Sequence, residues 1–192
     1  MNNTFVPASV RQQAAAQIVE RLCAAGHAAY FAGGCVRDLL LGCAPSDFDV
    51  ATNATPDVVL DMFPRTFAVG AHFGVVLVAT EYGSAEILTE VATFRSDGSY
   101  SDGRRPDSVC YTDSAEQDVF RRDFTINGML LDPVKLAQSD ELQSAVLDFV
   151  GGLDDLQAGV IRAIGDPAQR FAEDKLRMLR AVRFAARFGF AV

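Results

Sequence analysis

The sequence is poor in the residues that build zinc sites and disulfide frameworks. It contains two histidines and four cysteines, and no two cysteines have C-x-x-C spacing. A structural zinc site needs clustered cysteine and histidine ligands, so this composition disfavours one. Isolated cysteines of this kind are typical of reduced thiols in the cytoplasm.

Long apolar runs are also missing. The sequence has no stretch of about 18 consecutive apolar residues, roughly the least that a membrane-spanning helix needs. It does not open on a basic segment followed by an apolar one, which is the pattern of a secretory signal peptide. We therefore expect a cytoplasmic protein with no membrane partner.

The remaining composition is that of a globular domain with an uneven charge distribution. Of the 192 residues, 49% are hydrophobic and 22% are charged, enough for a substantial core. The net charge is −8, yet the last 33 residues carry 7 Lys and Arg against 3 Asp and Glu. This basic end suits contact with a polyanion, and an ordinary solvated helix accounts for the same charges.

The pattern of apolar, glycine and proline residues predicts both helices and strands. Helices are expected over residues 9–25, 36–41, 114–120 and 168–188, and another begins near Pro56. Strands are expected around Asp47 and Asp49 and over residues 28–31, 74–80, 85–94, 146–150 and 160–164. Residues 96–108 are expected to form a mobile loop. These elements predict an α+β fold in which helices cover one face of a mixed sheet.

Two aspartates follow shortly after a glycine pair. Asp47 and Asp49 are separated by one residue, and on the expected strand their side chains would share one face. Paired carboxylates of this kind bind hard divalent cations. Gly33 and Gly34 open a predicted helix, where free backbone N–H groups and the helix dipole favour phosphate. Metal carboxylates beside a phosphate site indicate nucleotide chemistry.

A third carboxylate is expected from the strand over residues 85–94. Glu86 and Glu90 share one face of that strand, so a glutamate there could complete a three-acid cluster. Such a cluster would hold two Mg²⁺ ions, one activating an attacking hydroxyl and the other steadying a triphosphate and its leaving pyrophosphate. The predicted reaction is nucleotidyl transfer.

The last predicted helix carries Asp174 and Arg177 at i,i+3 spacing. The ordinary interpretation is an ion pair on the helix surface. The alternative is base recognition, since a carboxylate accepts from an exocyclic amine and a guanidinium donates to a ring nitrogen or carbonyl. The pair would then accept cytosine and adenine and reject guanine and uracil. Because i+3 steps drift round a helix, Arg177, Arg180 and Arg183 cannot all point the same way.

Five motifs follow one another between about Tyr30 and Phe190. They are Gly33 to Gly42 with Asp47 and Asp49, Glu90 to Arg95, Arg121 to Asn127, Gly151-Gly152, and Glu173 to Phe184. Their residues and order resemble the family of class II tRNA nucleotidyltransferases (CCA-adding enzymes) and bacterial poly(A) polymerases.

The resemblance implies a fold, a reaction and a set of site residues. The fold would be a DNA polymerase β-like nucleotidyltransferase head followed by the start of an α-helical neck. The reaction would be template-independent addition of CMP and AMP, from CTP and ATP, to the 3′ end of tRNA or another RNA. Asp47, Asp49 and Glu90 would be catalytic and hold two Mg²⁺ ions. The nucleotide-binding residues would be Gly33, Gly34, Arg37, Asp38, Arg122, Asp123, Asn127, Asp174, Arg177, Arg180 and Arg183.

Individual roles follow from the same resemblance. Gly34 and Arg37 would hold the triphosphate. The motif leaves open which of Arg121 and Arg122 points inward. The loop over residues 96–106 corresponds to a flexible loop that bears on switching from C to A addition.

The family chain normally continues through helical body and tail domains, whereas this sequence ends at Val192. We expect residues 1–150 to form the head and residues 151–192 to start the neck, with body and tail absent, as in a truncated or shortened protein. Because related activities share the head motifs, poly(A) synthesis stays an alternative, as does a nucleotide- or RNA-binding fragment without turnover. Metal-dependent hydrolysis is disfavoured because no histidine-rich cluster is present to activate water. The sequence does not predict an oligomeric state.

Overall fold

The computed structural model has an α+β fold and describes residues 10–70, 74–82, 85–98, 103, 108–139 and 141–192. The helices within these ranges are α1 (Val10–Ala24), α2 (Gly34–Leu40), α3 (Pro56–Met62), α4 (Ala115–Phe120), α5 (Pro133–Gln138), α6 (Gly152–Ala158), α7 (Pro167–Glu173) and α8 (Leu176–Phe188). The strands are β1 (Ala29–Ala32), β2 (Asp49–Thr52), β3 (Thr66–Gly70), β4 (Val75–Tyr82), β5 (Ala85–Thr93), β6 (Arg95–Asp97), β7 (Val109–Tyr111), β8 (Leu130–Leu131) and β9 (Val146–Leu147). Within the described ranges, no helix is long and apolar enough to cross a bilayer.

Seven strands form one mixed sheet in the order β3-β4-β5-β2-β1-β8-β9. β2 and β5 run parallel, whereas the other neighbouring pairs of this sheet are antiparallel. β6 and β7 form a separate two-stranded ladder. β2 lies between β1 and β5. Its first residue, Asp49, pairs with Ala32, the last residue of β1.

One face of the sheet is covered by α1 and α3. α1 buries Ile18, Val19 and Leu22 in the same core as Phe31 and Val50. Complete burial of a side chain of this size contributes about 1.5–3 kcal/mol relative to exposure, so the apolar stripe of α1 is enough to fix it on the sheet.

The opposite face has a smaller apolar cluster at one end. α4 contributes Val119, which joins Ala32, Ala51, Phe94 and Leu130. The prediction of helices on one face is confirmed for α1 and α3, and α4 is the short helix that reaches the other face. The rest of that face stays open to form a site.

The elements expected over residues 160–164 and 96–108 differ from the structure. Residues 160–164 form no strand, because Val160 and Ala163 each make only an isolated bridge, to Ala191 and Phe124 respectively. The predicted loop over residues 96–108 begins within β6 and ends just before β7, and Ser96 pairs with Cys110 in the β6–β7 ladder. Residues 99–102 and 104–107 of that loop lie outside the described residues.

The continuous helix predicted over residues 168–188 is wrong. α7 ends at Glu173 and α8 begins at Leu176, with Asp174 between them in an extended conformation. The Asp174 carboxylate accepts from the backbone N–H of Leu176 at 2.9 Å. Such a local hydrogen bond competes with helix continuation, which explains the break.

Candidate active site

A cleft of about 510 Å³ opens where α2, the start of β2, the end of α4 and α8 meet. Pockets for small ligands typically measure about 300–1,000 Å³. Eleven of the predicted site residues line it: Gly33, Gly34, Arg37, Asp49, Arg122, Asp123, Asn127, Asp174, Arg177, Arg180 and Arg183. Asp38, Asp47 and Glu90 lie outside this lining. Residues more than a hundred positions apart in sequence therefore meet in one cavity.

The turn before α2 is built from Gly33 and Gly34. Gly33 has a φ of +73°, a left-handed conformation that costs other residues backbone strain. A Cβ atom at Gly33 would lie 3.3 Å from Nη1 of Arg122. Glycine therefore lets the Arg122 guanidinium lie directly against the turn.

Arg37 is a buried cation in the wall of the cleft, with 4% of its surface exposed. Its Nε and Nη2 donate to Oδ1 of Asp38 at 2.8 and 2.7 Å, and its Nη1 donates to Oδ1 of Asn127 at 2.5 Å. The guanidinium carbon lies 4.7 Å from the ring centre of Phe188 and 5.3 Å from that of Phe184. Arg37 thus ties α2 to α8, and Asp38 lies behind it rather than in the cleft.

Asp49 and Glu90 lie side by side on the open face. The parallel register places Val50 opposite Val91, so the residues before them are neighbours on the same face. Burial, together with the negative charges of Glu90 and Asp47, raises the pKa of Asp49 from 3.8 to about 6. The three carboxylates therefore repel one another at neutral pH.

Asp47 precedes β2 rather than lying on it, since β2 begins at Asp49. The expectation that both aspartates sit on one strand face is therefore wrong. The Asp47 carboxylate instead accepts from Nη1 of Arg11 at 2.6 Å and from the Ser46 hydroxyl at 3.0 Å. Both side chains of the Arg11 pair are exposed, and a pair of this kind is weak enough to be displaced.

The three carboxylates fit a divalent cation by their chemistry. Carboxylate oxygens are hard donors that Mg²⁺ prefers, and a cation would relieve the repulsion that raises the pKa of Asp49. In the part of the chain that the structure describes, no three Asp, Glu, His or Cys side chains are already grouped as a metal site. Glu86 is not a candidate ligand, because its carboxylate forms an ion pair with Arg65. Asp47, Asp49 and Glu90 remain the candidate ligands.

Asp123 connects the motif over residues 121–127 to α8. Its Oδ1 accepts from the Asn127 carboxamide at 3.1 Å and from the Phe124 N–H at 2.8 Å. Its Oδ2 accepts from Nε of Arg180 at 2.6 Å. Asn127 therefore bridges Asp123 and Arg37, and one hydrogen-bonded network spans the cleft floor.

Arg177 pairs with Glu173 rather than with Asp174. Its Nη1 donates to Oε2 of Glu173 at 3.1 Å, and its Nη2 donates to the backbone oxygen of Arg121 at 3.3 Å. Asp174 uses Oδ1 to cap α8 at the N–H of Leu176. The ordinary interpretation, a surface ion pair between Asp174 and Arg177, is therefore wrong, because Arg177 is buried.

The arginines of α8 point in different directions, as helix geometry predicts. Arg177 is buried, Arg180 is half-buried against Asp123, and Arg183 is exposed. The guanidinium carbon of Arg183 lies 5.0 Å from the ring centre of Phe184. Arg183 therefore offers the cleft its most accessible positive charge of the three.

Sequence analysis missed several residues of the cleft. Arg95, Phe184 and Arg187 line it, and so does Arg121, so both arginines of the motif face the cavity. Arg187 follows Arg183 by four residues, and this helical spacing could have found it. Arg95 ends the family motif over residues 90–95 and begins β6, but the sequence assigned it no role in the site.

The chain also resembles known proteins over most of its length. Residues 29–162 match the Poly A polymerase head domain family. The chain belongs to this family. Among its head-domain relatives is the CCA-adding enzyme of Geobacillus thermodenitrificans (strain NG80-2), 44% identical over 94% of this chain and 41% of the relative. The CCA-adding enzyme of Lactiplantibacillus plantarum is 43% identical over the same shares.

Solved structures share the same head-domain fold. The crystal structure of the Bacillus stearothermophilus CCA-adding enzyme in complex with CTP has a TM-score of 0.79 and 39% identity, covering 95% of this chain and 41% of that one. The Thermotoga maritima CCA-adding enzyme complexed with tRNA has a TM-score of 0.70 and 26% identity, covering 97% and 40%. The nucleotidyltransferase head fold expected from the sequence is confirmed. The chain spans 41% of the length of the two curated relatives.

Proposed function

We propose that the chain is the nucleotidyltransferase part of a CCA-adding enzyme. It would transfer CMP and AMP from CTP and ATP to the 3′ end of tRNA without a template. Residues 1–150 would be the head, and residues 151–192 would start the neck. The family membership and the relatives, which are CCA-adding enzymes, support this proposal.

One observation carries the proposal: a single cleft joins three chemically different groups. Asp49 contributes a carboxylate, the Gly33-Gly34 turn follows Ala32, the strand partner of Asp49, and Asp174 with Arg177 lies at the break between α7 and α8. These groups match the three parts of a nucleoside triphosphate bound with a cation. A purely structural module would have no use for the third group.

The charge of the cleft favours a triphosphate. Its lining has three aspartates and eight arginines, namely Arg37, Arg95, Arg121, Arg122, Arg177, Arg180, Arg183 and Arg187. Guanidinium groups bind phosphate through paired hydrogen bonds. Although the whole chain has a net charge of −8, the cleft attracts an anion locally.

The base would be read at the break between the two helices. Asp174 commits Oδ1 to the helix cap, which leaves Oδ2 to accept from the exocyclic amine of cytosine or adenine. Arg177 is held by Glu173 and by the Arg121 carbonyl, and its remaining N–H groups can donate to the adjacent ring nitrogen. Guanine and uracil present the opposite donor and acceptor order at these positions.

Catalysis would use Mg²⁺, with two ions held by Asp47, Asp49 and Glu90. Bound Mg²⁺ supplies activation of the attacking hydroxyl and neutralises the triphosphate. The chain itself holds Asp49 and Glu90 at neighbouring strand positions, and Asp49 lines the same cleft as the Gly33-Gly34 turn. Asp47 joins them only when it leaves Arg11.

The test is to supply tRNA lacking its 3′ CCA end with Mg²⁺ and CTP, ATP or both, and to sequence the products. The proposal expects CC with CTP alone and CCA with both nucleotides. A run of A would indicate poly(A) synthesis, and binding without addition would indicate a fragment without turnover. Asp49→Ala should abolish addition, whereas Asp61→Asn, at an exposed acid on α3, should leave it unchanged.

A further inference from the structure

Asp118 is a buried carboxylate that binds two arginines of the cleft at once. It lies on α4, and 1% of its surface is exposed. Its Oδ1 accepts from Nε and Nη2 of Arg121, at 2.9 and 2.6 Å. Its Oδ2 accepts from Nε and Nη2 of Arg122, at 3.3 and 2.8 Å. Each carboxylate oxygen therefore receives the paired donors of one guanidinium.

Burial makes these two ion pairs different from ordinary pairs on a helix surface. The backbone N–H of Arg95 also donates to Oδ1, at 3.2 Å, so Asp118 is anchored from a second element. Burial would raise the pKa of Asp118, but the two guanidiniums outweigh it and hold the pKa below its ordinary value. Asp118 is therefore ionised, and removing its charge would leave two partly buried cations without their partner.

The geometry of Arg122 shows where its remaining donors point. Nε and Nη2 are used by Asp118, and Nη1 lies against the Gly33 turn, 3.3 Å from the position of a Cβ at Gly33. Arg122 and Asp49 also line the same cleft. Arg122 is thus held between Asp118 and the glycine turn.

We propose that Asp118 is a positioning residue: it fixes the Arg122 guanidinium against the Gly33-Gly34 turn, so that Nη1 meets the triphosphate of the incoming nucleotide. This inference rests on the proposed nucleotidyl-transfer function. Asp118 lies outside the lining of the cleft and acts through Arg122. Without Asp118, Arg122 would keep its charge and lose its orientation.

The proposal separates phosphate binding from base choice. The Arg177 side chain reaches α4 through the backbone oxygen of Arg121, which does not depend on the Asp118 carboxylate. A change at Asp118 should therefore weaken the hold on phosphates and leave the preference for CTP and ATP over GTP and UTP intact.

The experiment compares affinity for CTP and CMP at constant Mg²⁺ in the wild-type chain, Asp118→Asn and Glu116→Gln. Glu116 is an exposed acid on the same helix, so its variant loses the same charge without touching either arginine. We expect Asp118→Asn to weaken CTP binding about tenfold and CMP binding by less than about threefold, the size of one charged hydrogen bond. Glu116→Gln should match the wild type. A general loss of stability would lower both affinities together.

A double-mutant cycle tests whether Asp118 acts through Arg122. Arg122→Gln alone should reduce the ratio of CTP affinity to CMP affinity as much as Asp118→Asn does. The double variant should show no further reduction of that ratio. Additive losses would overturn the proposal. So would an unchanged ratio in Asp118→Asn.

Two further measurements test the positioning role of Asp118. If Asp118→Asn does not fold, Asp118→Glu keeps the charge, displaces it by one methylene group, and should give an intermediate ratio. In the nucleotide-free chain, nuclear magnetic resonance should show slow exchange for the Nε protons of Arg121 and Arg122, lost in Asp118→Asn. Rapid exchange in the wild type would overturn the positioning role. A wild-type chain that binds all four nucleotides equally would instead overturn the proposed function.

Discussion

Arg180 donates its Nε to Oδ2 of Asp123 across 2.6 Å, and this bond joins two motifs that are 57 residues apart. The other oxygen of Asp123 is held by Asn127, so the carboxylate has little freedom to follow a moving partner. The pair therefore fixes the position of α8 relative to the central part of the chain. Base recognition and phosphate binding depend on that position in the proposed function.

Arg180→Ala should lower both stability and nucleotide affinity. The Arg180 side chain is 43% exposed, so the loss of stability should be about 1 kcal/mol rather than the value of a fully buried pair. Arg183→Ala is the matched control for stability, because Arg183 is exposed on the same helix and contacts Phe184 through its guanidinium. Urea unfolding and CTP titration measure the two quantities. Equal stability losses in the two variants would contradict this account.

The stability of the metal-free chain should fall as Asp49 ionises. Its pKa is raised from 3.8 to about 6, so the folded chain favours the protonated form. The stability that the protonated carboxyl contributes is present at low pH and is lost as the pH rises through 6. Asp49→Asn carries no charge at any pH, so its stability relative to the wild type should increase between pH 5.5 and pH 8. We expect about 0.5 kcal/mol, because Asp49 keeps exposed surface and solvent screens the shift.

Urea unfolding in a chelator at both pH values measures this difference. Asp61→Asn removes an exposed acid from α3 and should show no such trend. Added Mg²⁺ should stabilise the wild type at pH 8 and stabilise Asp49→Asn less, because binding to the folded state adds to its stability. A constant difference between Asp49→Asn and the wild type would show that Asp49 ionises normally.

One of the four thiols should resist modification in the native chain. Cys35 is buried, its thiol donates to the Ala32 backbone oxygen at 3.3 Å, and burial raises its pKa to about 12. Cys23, Cys43 and Cys110 are exposed. A thiol reagent should therefore label three groups at once and the fourth only after denaturation. In Cys35→Ser the native and denatured counts should be equal, and rapid labelling of four native thiols would contradict the fold around α2.

Local patterns in the sequence predicted the helices and strands that carry a regular apolar repeat. The α1 helix, expected over residues 9–25, is observed over Val10–Ala24, and the expected strand over residues 85–94 is β5, Ala85–Thr93. Position 9 lies outside the described residues. Both elements carry regular apolar repeats that bury one side, and such repeats are visible in the sequence.

Features that depend on distant partners could not be predicted. The Asp47 carboxylate accepts a hydrogen bond from Arg11, a residue 36 positions away, and no local sequence pattern predicts that contact. Val160 is apolar and β-branched, yet it pairs only with Ala191 near the chain end. Ala163 pairs only with Phe124, so residues 160–164 make two isolated bridges instead of a strand. The role of Asp118 depends on its burial, which only the packing of α4 reveals.

Asp174 should combine two functions that a pair of substitutions can separate. Its Oδ1 caps α8, and in the proposed function its Oδ2 accepts from the base amine. Asn caps helices about as well as Asp, but its amide group would replace one acceptor with a donor. Asp174→Asn should therefore keep the stability of the wild type and lose about tenfold in affinity for CTP and ATP. Asp174→Ala should lose the same affinity and also about 1 kcal/mol of stability, because the cap is gone.

Asp166→Asn is the control for this comparison. Asp166 caps α7 through the N–H of Gln169 at 2.8 Å and lies outside the lining of the cleft. It should leave both stability and nucleotide affinity unchanged. Thermal unfolding and titrations with all four nucleotides at constant Mg²⁺ provide the data. If Asp174→Asn bound CTP as tightly as the wild type, Asp174 would be a helix cap alone, and the choice between C or A and G or U would have to arise elsewhere in the cleft.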